Sequence, residues 1–470
     1  MASLRRYQRY AEELTGMIRR GDLPPGARLP SVREASRTRR ISPATVFEAF
    51  YLLQARGLIE SRPRSGFYVR HVPAVAPPRA VAAPRSRHVA VSELVFEVLA
   101  ATRRPGVVPL GSAFPGADLF PLPQLARALS AGMRRLEPAN IVADLPPGNE
   151  RLRRQIALRY ELSGTHVAPE EIVITNGALE ALTLALQVVT RPGDAVIVES
   201  PCFYAALQAL ERLRLKAVEI PCDPRQGVDL AALRGALKRH DLKACWLMPS
   251  FQNPTGASMP EPNRRELVRM LAARDVPLIE DDVYAELYYG RHPPRPAKSF
   301  DTRGLVMHCG SFSKCLAPGY RVGWVAAGRH AQAITRAKIM TTLSTAVPSQ
   351  QALAEYLAHG GYERHLRRLR RILARQHEIA ARLFARHFPA GTRFSSPEGG
   401  YFLWAELPGG IDTLQLHRHA LEQGINIAPG AIFSATVPFR HCLRLNYGHP
   451  RNTTFEPAVR TIGELIKLAA

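Results

Sequence analysis

The segment GSFSKCLAPGYRVGW places Lys314 among small and hydroxyl residues, with Arg321 seven positions beyond it. A lysine captures a carbonyl only when its ammonium gives up a proton, which requires burial or nearby positive charge. Ser311, Ser313 and Arg321 are the residue types that anchor a phosphate dianion. The string VITNGALEALTLAL offers a second phosphate device, because it reads as a strand that turns at Gly177 into a helix. There the amides of Gly177, Ala178 and Leu179 can cradle an anion at a helix N-terminus.

Other residues suit a flat, nitrogen-containing ring and an acid-bearing ligand. Phe203 in ESPCFYAAL can stack on a ring, and Asn253 in MPSFQNPTG can donate to a phenolate oxygen. VPLIEDDVYAEL ends a β-branched strand at Asp281, with Tyr284 three residues later. A carboxylate at a pyridine nitrogen keeps it protonated and makes the ring an electron sink. Arg444 in HCLRLNYG sits on an expected strand and suits a bidentate grip on a carboxylate. Singly, each has a plainer reading: Phe203 as core, Asp281 as a helix cap, Lys314 as a surface amine.

The elements that must position these residues alternate. β-branched runs such as EIVITN, DAVIVES, KACWLMPS and VPLIEDD are separated by amphipathic helical stretches. That pattern predicts a multidomain α/β protein whose large domain is built on a mostly parallel sheet. Three zones are expected: 1–71 basic and helix-rich, 72–90 a Pro/Ala-rich linker, and 91–470 the α/β domain, with a small α+β subdomain over roughly 345–470.

The 470 residues carry a net charge of +23, and residues 1–71 alone hold fourteen arginines, no lysine and six acids. That excess suits contact with phosphate, or equally a general preference for arginine, which recurs from Arg364 to Arg375. Cys202, Cys222, Cys245, Cys309, Cys315 and Cys442 have neither metal-ligand nor redox spacing, so reduced thiols and no metal are expected. No uncharged apolar run reaches the length of about 18 residues needed to span a membrane, and MASLRRYQRY lacks the apolar stretch of a signal peptide. A cytoplasmic location is expected.

In the basic zone, RYQRYAEELTGMIRRG predicts a helix ending at Gly21. DLPPGARLPSVREASRTRR follows, with Ser31 and Glu34 spaced as a capping box. ISPATVFEAFYLLQARG has Ser42 as N-cap and Pro43 in the first turn. LIESRPRSGFYV then reads as two strands joined by a basic turn. Three helices and a hairpin make a winged helix-turn-helix, whose Ser42-capped helix would enter a major groove. Its amide dipole and Thr45 can hold a phosphate, and Arg64 on the wing can reach DNA. These stretches resemble the GntR-type winged helix, with double-stranded operator DNA as the implied partner. Relatives usually carry Ser-Arg where this chain has Ser42 and Pro43, so Arg33, Arg39, Arg40, Ser42, Thr45, Arg64 and Gly66 are the candidate DNA contacts.

From Val91 to Leu468 the ordered motifs resemble fold-type-I aminotransferases. The resemblance implies pyridoxal 5'-phosphate as cofactor, with Lys314 as the internal-aldimine lysine and Asp281 at the pyridine nitrogen. Asn253 and Tyr284 would bond the ring hydroxyl, and Phe203 would stack on the ring. Gly177, Ala178, Leu179, Ser311, Ser313 and Arg321 would form the phosphate cup, and Arg444 would clamp a carboxylate. Where many relatives carry a tyrosine that reaches the partner subunit's phosphate, ADLPPGNERLRRQIA has Ala143 and Asp144, which implies a weaker cofactor grip or reduced turnover. The fusion resembles the MocR-type regulators within the GntR family. It implies a homodimer whose DNA binding responds to the cofactor vitamer, an amine or an amino acid. A working aminotransferase acting on an α-amino acid is the alternative.

Overall fold

The computed structural model describes residues 6–20, 22–24, 26–55, 58–62, 65–69, 86–101, 106–139, 145–449 and 453–469. The chain divides into two compact units, Met1–Ala74 and Val75–Ala470.

In the first unit the predicted helices form over Arg6–Arg20, Val32–Arg39 and Pro43–Ala55. Ser31 caps the second, its Oγ accepting from the Glu34 amide at 3.2 Å. Ser42 caps the third in the same way, through the Thr45 amide at 3.2 Å. These side chains satisfy amides that a helix start otherwise leaves without partners. Ile59–Arg62 and Gly66–Val69 pair antiparallel as the expected wing, and Arg28 bridges to Tyr68 on its edge. Tyr10, Leu14, Ala35, Val46, Phe50, Leu53, Ile59 and Val69 close one core. Gly21, the expected helix end, and Arg64, the expected wing contact, lie outside the described residues.

The second unit is built on a nine-stranded sheet among the described residues. Its neighbours run Ser86–His88, Lys216–Asp223, Ala195–Ser200, Leu242–Leu247, Leu278–Asp281, Val306–Ser311, Gly323–Ala326 and Ile172–Thr175, and the ninth strand, Gly227–Val228, pairs antiparallel with the end of Lys216–Asp223. From Lys216–Asp223 to Val306–Ser311 every pairing is parallel, and Gly323–Ala326 is antiparallel to both neighbours. Helices cover both faces of such a sheet, which is why its strands read as continuous apolar runs. One expectation needs correcting. Ser86–His88 lies within the stretch 72–90 assigned to linker, yet it pairs antiparallel with Lys216–Asp223 as an edge strand. Val89 and Val91 beyond it are buried, so ladder bonds and burial override the Pro/Ala composition there.

Toward the C-terminus a four-stranded sheet orders Arg393–Phe394, Phe402–Glu406, Cys442–Asn446 and Ala428–Pro429. The helices Gly361–His387, Thr413–Glu422 and Phe455–Ala469 accompany it. All six cysteines are free and buried, as expected for inert packing thiols. No helix among the described residues is long and apolar enough to cross a membrane.

Phe50 is fully buried, 6.3 Å from the Tyr10 ring and 5.0 Å from the Phe67 ring. Phe50→Ala is expected to cost about 3–5 kcal/mol, which approaches the whole stability of so small a unit. Thermal denaturation should then show an early transition of the first unit while absorbance of cofactor bound to the second is unchanged. A single unshifted transition would contradict this.

Candidate functional site: a lysine, an aspartate and an arginine in one buried cleft

The parallel strands deliver their C-terminal ends to one edge of the sheet, where α/β proteins bind ligands. Asp281 ends Leu278–Asp281, Ser311 ends Val306–Ser311, and Gly177 follows Ile172–Thr175. The small sheet supplies Arg444 by strand alternation. Leu443 and Leu445 enter the hydrophobic core, so Arg444 faces the opposite way.

Asp281 is buried, and neither carboxylate oxygen makes a well-formed hydrogen bond among the described residues, although the Val283 amide and the Trp246 indole are near enough to favour its charged form. Burial pushes its pKa up to about 7, and the neighbouring Asp282 pushes the same way. Lys314 donates to the Ala113 carbonyl at 2.8 Å and sits 3.9 Å from the Phe114 ring centroid. Burial lowers its pKa to about 7, helped by the positive charges of Arg444 and Arg321. Asp281 opposes that shift, so the two groups interact directly. The sequence demanded burial or positive neighbours for this lysine, and the structure provides both.

Arg444 is buried without a carboxylate partner among the described residues. Its Nη1 donates to Asn253 Oδ1 at 2.7 Å and its Nη2 to the Gly111 carbonyl at 2.6 Å, leaving Nε unpaired. Burial lowers its pKa; Tyr204, Tyr284 and Tyr401 are near enough to oppose the shift. Asn253 keeps its Nδ2 unpaired, and Tyr284 is buried against Tyr401 and Phe402, its pKa raised by burial. Phe203 is half-buried at the start of the helix Tyr204–Arg212, with its ring 4.8 Å from that of Tyr204.

The phosphate-binding candidates also converge. Arg321 donates to Ser313 Oγ at 3.3 Å and to the Asn176 carbonyl at 3.2 Å. Ser311 Oγ lies 2.9 Å from Ser313 Oγ and accepts from the Ser313 amide. Gly177 has φ +86°, and a Cβ there would stand 2.5 Å from Arg321 Nη2. Any side chain at 177 would therefore fill the cradle. Ala178 begins the following helix, and Leu179 stands exposed in its first turn.

These residues fit pyridoxal phosphate by their unmet needs. Orphaned buried donors and acceptors are costly unless a ligand answers them. A protonated pyridine nitrogen answers Asp281 and a ring oxygen answers Asn253, while exposed Arg321 and the Gly177 turn offer donors to a phosphate dianion. Ala143 and Asp144, where the sequence lacks the usual tyrosine, lie outside the described residues.

Sequence reading missed three contributions. The carbonyls of Gly111 and Ala113 orient Arg444 and Lys314, and main-chain acceptors leave no mark in residue type. Gly323 passes so close to Gly177 that a Cβ would sit 2.5 Å from its carbonyl carbon. Behind Asp281, His308 Nε2 meets Asp282 Oδ2 at 2.9 Å and His308 Nδ1 meets the Tyr160 hydroxyl at 2.7 Å. Glu280 beside them accepts the amides of Ala297 and Lys298. The consecutive acids Glu280, Asp281 and Asp282 were the available signal for that buried network.

In the first unit, Arg33 and Arg40 are exposed, and Arg40 closes its helix with φ +50°. Arg39 instead pairs with Glu13 at 2.8 Å and lies 5.6 Å from the Tyr10 ring centroid, which commits it to the first helix. Ser42 and Thr45 share a hydroxyl contact of 2.8 Å, and Gly66 opens the second wing strand with φ +106°.

Lys314 acts as a nucleophile only as the free amine. Below pH 7 the capture of pyridoxal phosphate by the apoprotein should therefore fall about tenfold per pH unit, and above it level off. Stopped-flow absorbance checks this; a midpoint near the ordinary lysine value of about 10 would contradict it. Gly177→Ala should weaken cofactor affinity at least tenfold in an equilibrium titration, because the added methyl meets Arg321.

Comparison with known proteins agrees with both halves. Residues 6–69 match the family model of bacterial regulatory proteins, gntR family, and residues 115–462 that of aminotransferase class I and II. The chain is 47% identical over 466 residues to the HTH-type transcriptional regulator YdcR of Escherichia coli, covering 99% of each. It is 35% identical to the 2-aminoadipate transaminase of Thermus thermophilus, over 79% of this chain and 93% of that enzyme. Among solved structures, LysN, the α-aminoadipate aminotransferase of the same organism, complexed with N-(5'-phosphopyridoxyl)-L-leucine, superimposes with a TM-score of 0.73. It is 31% identical, covering 80% of this chain and 94% of LysN. A capped, Arg-flanked helix beside a wing and a lysine, aspartate and arginine set that fits pyridoxal 5'-phosphate thus occur in one polypeptide, and the chain belongs to the MocR-type transcription regulators of the GntR family, with pyridoxal 5'-phosphate as its cofactor.

Proposed function

We propose that the protein is a homodimeric, cytoplasmic regulator that binds operator DNA through its first unit and senses an amine or amino acid at Lys314. The observation that carries this reading is Arg444, a buried guanidinium with an unpaired Nε and no carboxylate partner among the described residues. A charge kept so costs several kcal/mol, a cost that a ligand carboxylate relieves on binding. Bound in the cleft, pyridoxal phosphate supplies an aldehyde that combines with amines. Lys314 releases or accepts the proton at Nζ, Asp281 holds the ring nitrogen protonated, and Arg444 orients the incoming carboxylate. Asn253 then shares its carbonyl oxygen with Arg444, so engagement of the ring and of the acid group are linked through one side chain.

The same residues would support transamination, so residual turnover is compatible with this reading. The winged helix favours the regulator, since a plain enzyme has no use for one. A ligand changes DNA affinity only through its differential affinity for the two states of the protein.

The test uses the full-length, cofactor-loaded protein and duplex DNA from upstream of its own gene. Affinity should exceed that for scrambled duplex and fall as salt rises from about 50 to 200 mM. One member of a panel of amino acids and amines should shift that affinity at least about fivefold. Lys314→Ala should lose the shift, and Arg444→Gln should lose it for amino acids. Equal affinity for scrambled DNA, or steady turnover with 2-oxoglutarate and no effect on DNA, would contradict the reading.

A further inference from the structure

The solvent face of the helix Pro43–Ala55 is mostly apolar toward its Ser42-capped end. Val46, Ala49, Phe50 and Leu53 are buried, which turns Pro43, Ala44, Phe47, Glu48, Tyr51 and, in the last turn, Gln54 outward. Phe47 and Tyr51 remain 56% and 54% exposed. The sequence from Pro43 to Ala55 contains no lysine or arginine, and Glu48 is its one charge. Thr45 spends its hydroxyl on Ser42 at 2.8 Å. Phe47 is held edge-on to Phe67 of the wing, with ring centroids 6.4 Å apart, so its exposed ring has a fixed orientation.

Large aromatics left in water on an ordered helix mark a surface that a partner covers. The gntR-family match and the flanking charge identify that partner as duplex DNA. Exposed Arg33, Arg37 and Arg40 stand on the preceding helix and its cap, suited to phosphates. In the major groove, guanine is read by arginine or lysine and adenine by asparagine or glutamine, whereas thymine presents a C5-methyl group. The outward face near the Ser42 cap has none of the first four residue types. Glu48 there repels phosphate and can only accept hydrogen bonds, which suits a cytosine N4 amine at its own position and no guanine.

We infer that this helix reads its operator through thymine methyl groups packed against Pro43, Ala44 and Phe47, while Arg33, Arg37 and Arg40 supply the phosphate grip. The inference rests on the DNA-binding reading above. The experiment selects duplexes from a random-sequence pool with the full-length, cofactor-loaded protein, then replaces the selected thymines one at a time by deoxyuridine. The selected half-sites should be rich in A·T pairs. At one or more positions, loss of the methyl should weaken binding about fourfold, the affinity equivalent of one buried methyl. Phe47→Ala should lose the thymine preference at one selected position at least, whereas Phe47→Leu should keep it there. The uracil comparison leaves the protein unaltered, so folding of a variant does not affect it. A guanine-centred core, or equal binding of thymine and uracil duplexes, overturns the inference and leaves the DNA-binding reading intact. Enrichment of no sequence overturns that reading itself and the inference with it.

Discussion

A buried guanidinium with no carboxylate partner among the described residues organises the aminotransferase-like unit. Arg444 is held by one amide oxygen, one carbonyl and the rings of Phe402 and Phe433, all neutral, and its Nε is left over. Around it lie the lysine whose proton it helps displace and the carboxylate that burial drives toward neutrality. Each of these groups is unfavourable in the ligand-free protein, and each is answered by a different part of one ligand pair: a pyridine nitrogen, an aldehyde and a carboxylate. The fold supplies the rigidity that keeps them apart. Asp281 is fixed at a strand end in the large sheet, and Arg444 is fixed in the middle of a strand of the small one. Loops would let the charges relax toward water, and the site would lose its selectivity.

Much of this was legible in the sequence because chemistry of this kind needs particular side chains in a particular order. Lys314, Asp281 and Asn253 are separated by many residues, yet the strand and helix patterns between them place all three at one edge of the large sheet, and Arg444 comes from the small sheet. The caps at Ser31 and Ser42 were equally readable, since a hydroxyl before a helix has few other uses. What the sequence hid was carried by the main chain or by tertiary pairing. The carbonyls of Gly111 and Ala113 have no residue signature. The edge strand Ser86–His88 sits in a stretch whose composition says linker, and only its partner strand gives it structure. Arg39 looks free in a basic segment until the first helix brings Glu13 alongside.

The winged-helix unit presents the opposite electrostatic design. Its charges lie on the surface, where ionic strength screens them, and its reading helix is nearly uncharged. On the reading proposed above, phosphate grip and base reading are divided between different elements, the first on the helix Val32–Arg39 and its cap, the second on Pro43–Ala55. Such a division lets DNA affinity respond to salt without altering which sequence is preferred.

The central claim is that occupancy of the Lys314 cleft and DNA binding are coupled equilibria. The most direct test is their reciprocity: the factor by which the effector changes operator affinity is measured by fluorescence anisotropy. The factor by which saturating operator changes effector affinity is measured from the bound cofactor's absorbance. Thermodynamic linkage requires equal factors, and this account predicts a shared value different from one. Effector binding that is unaffected by operator DNA would contradict it.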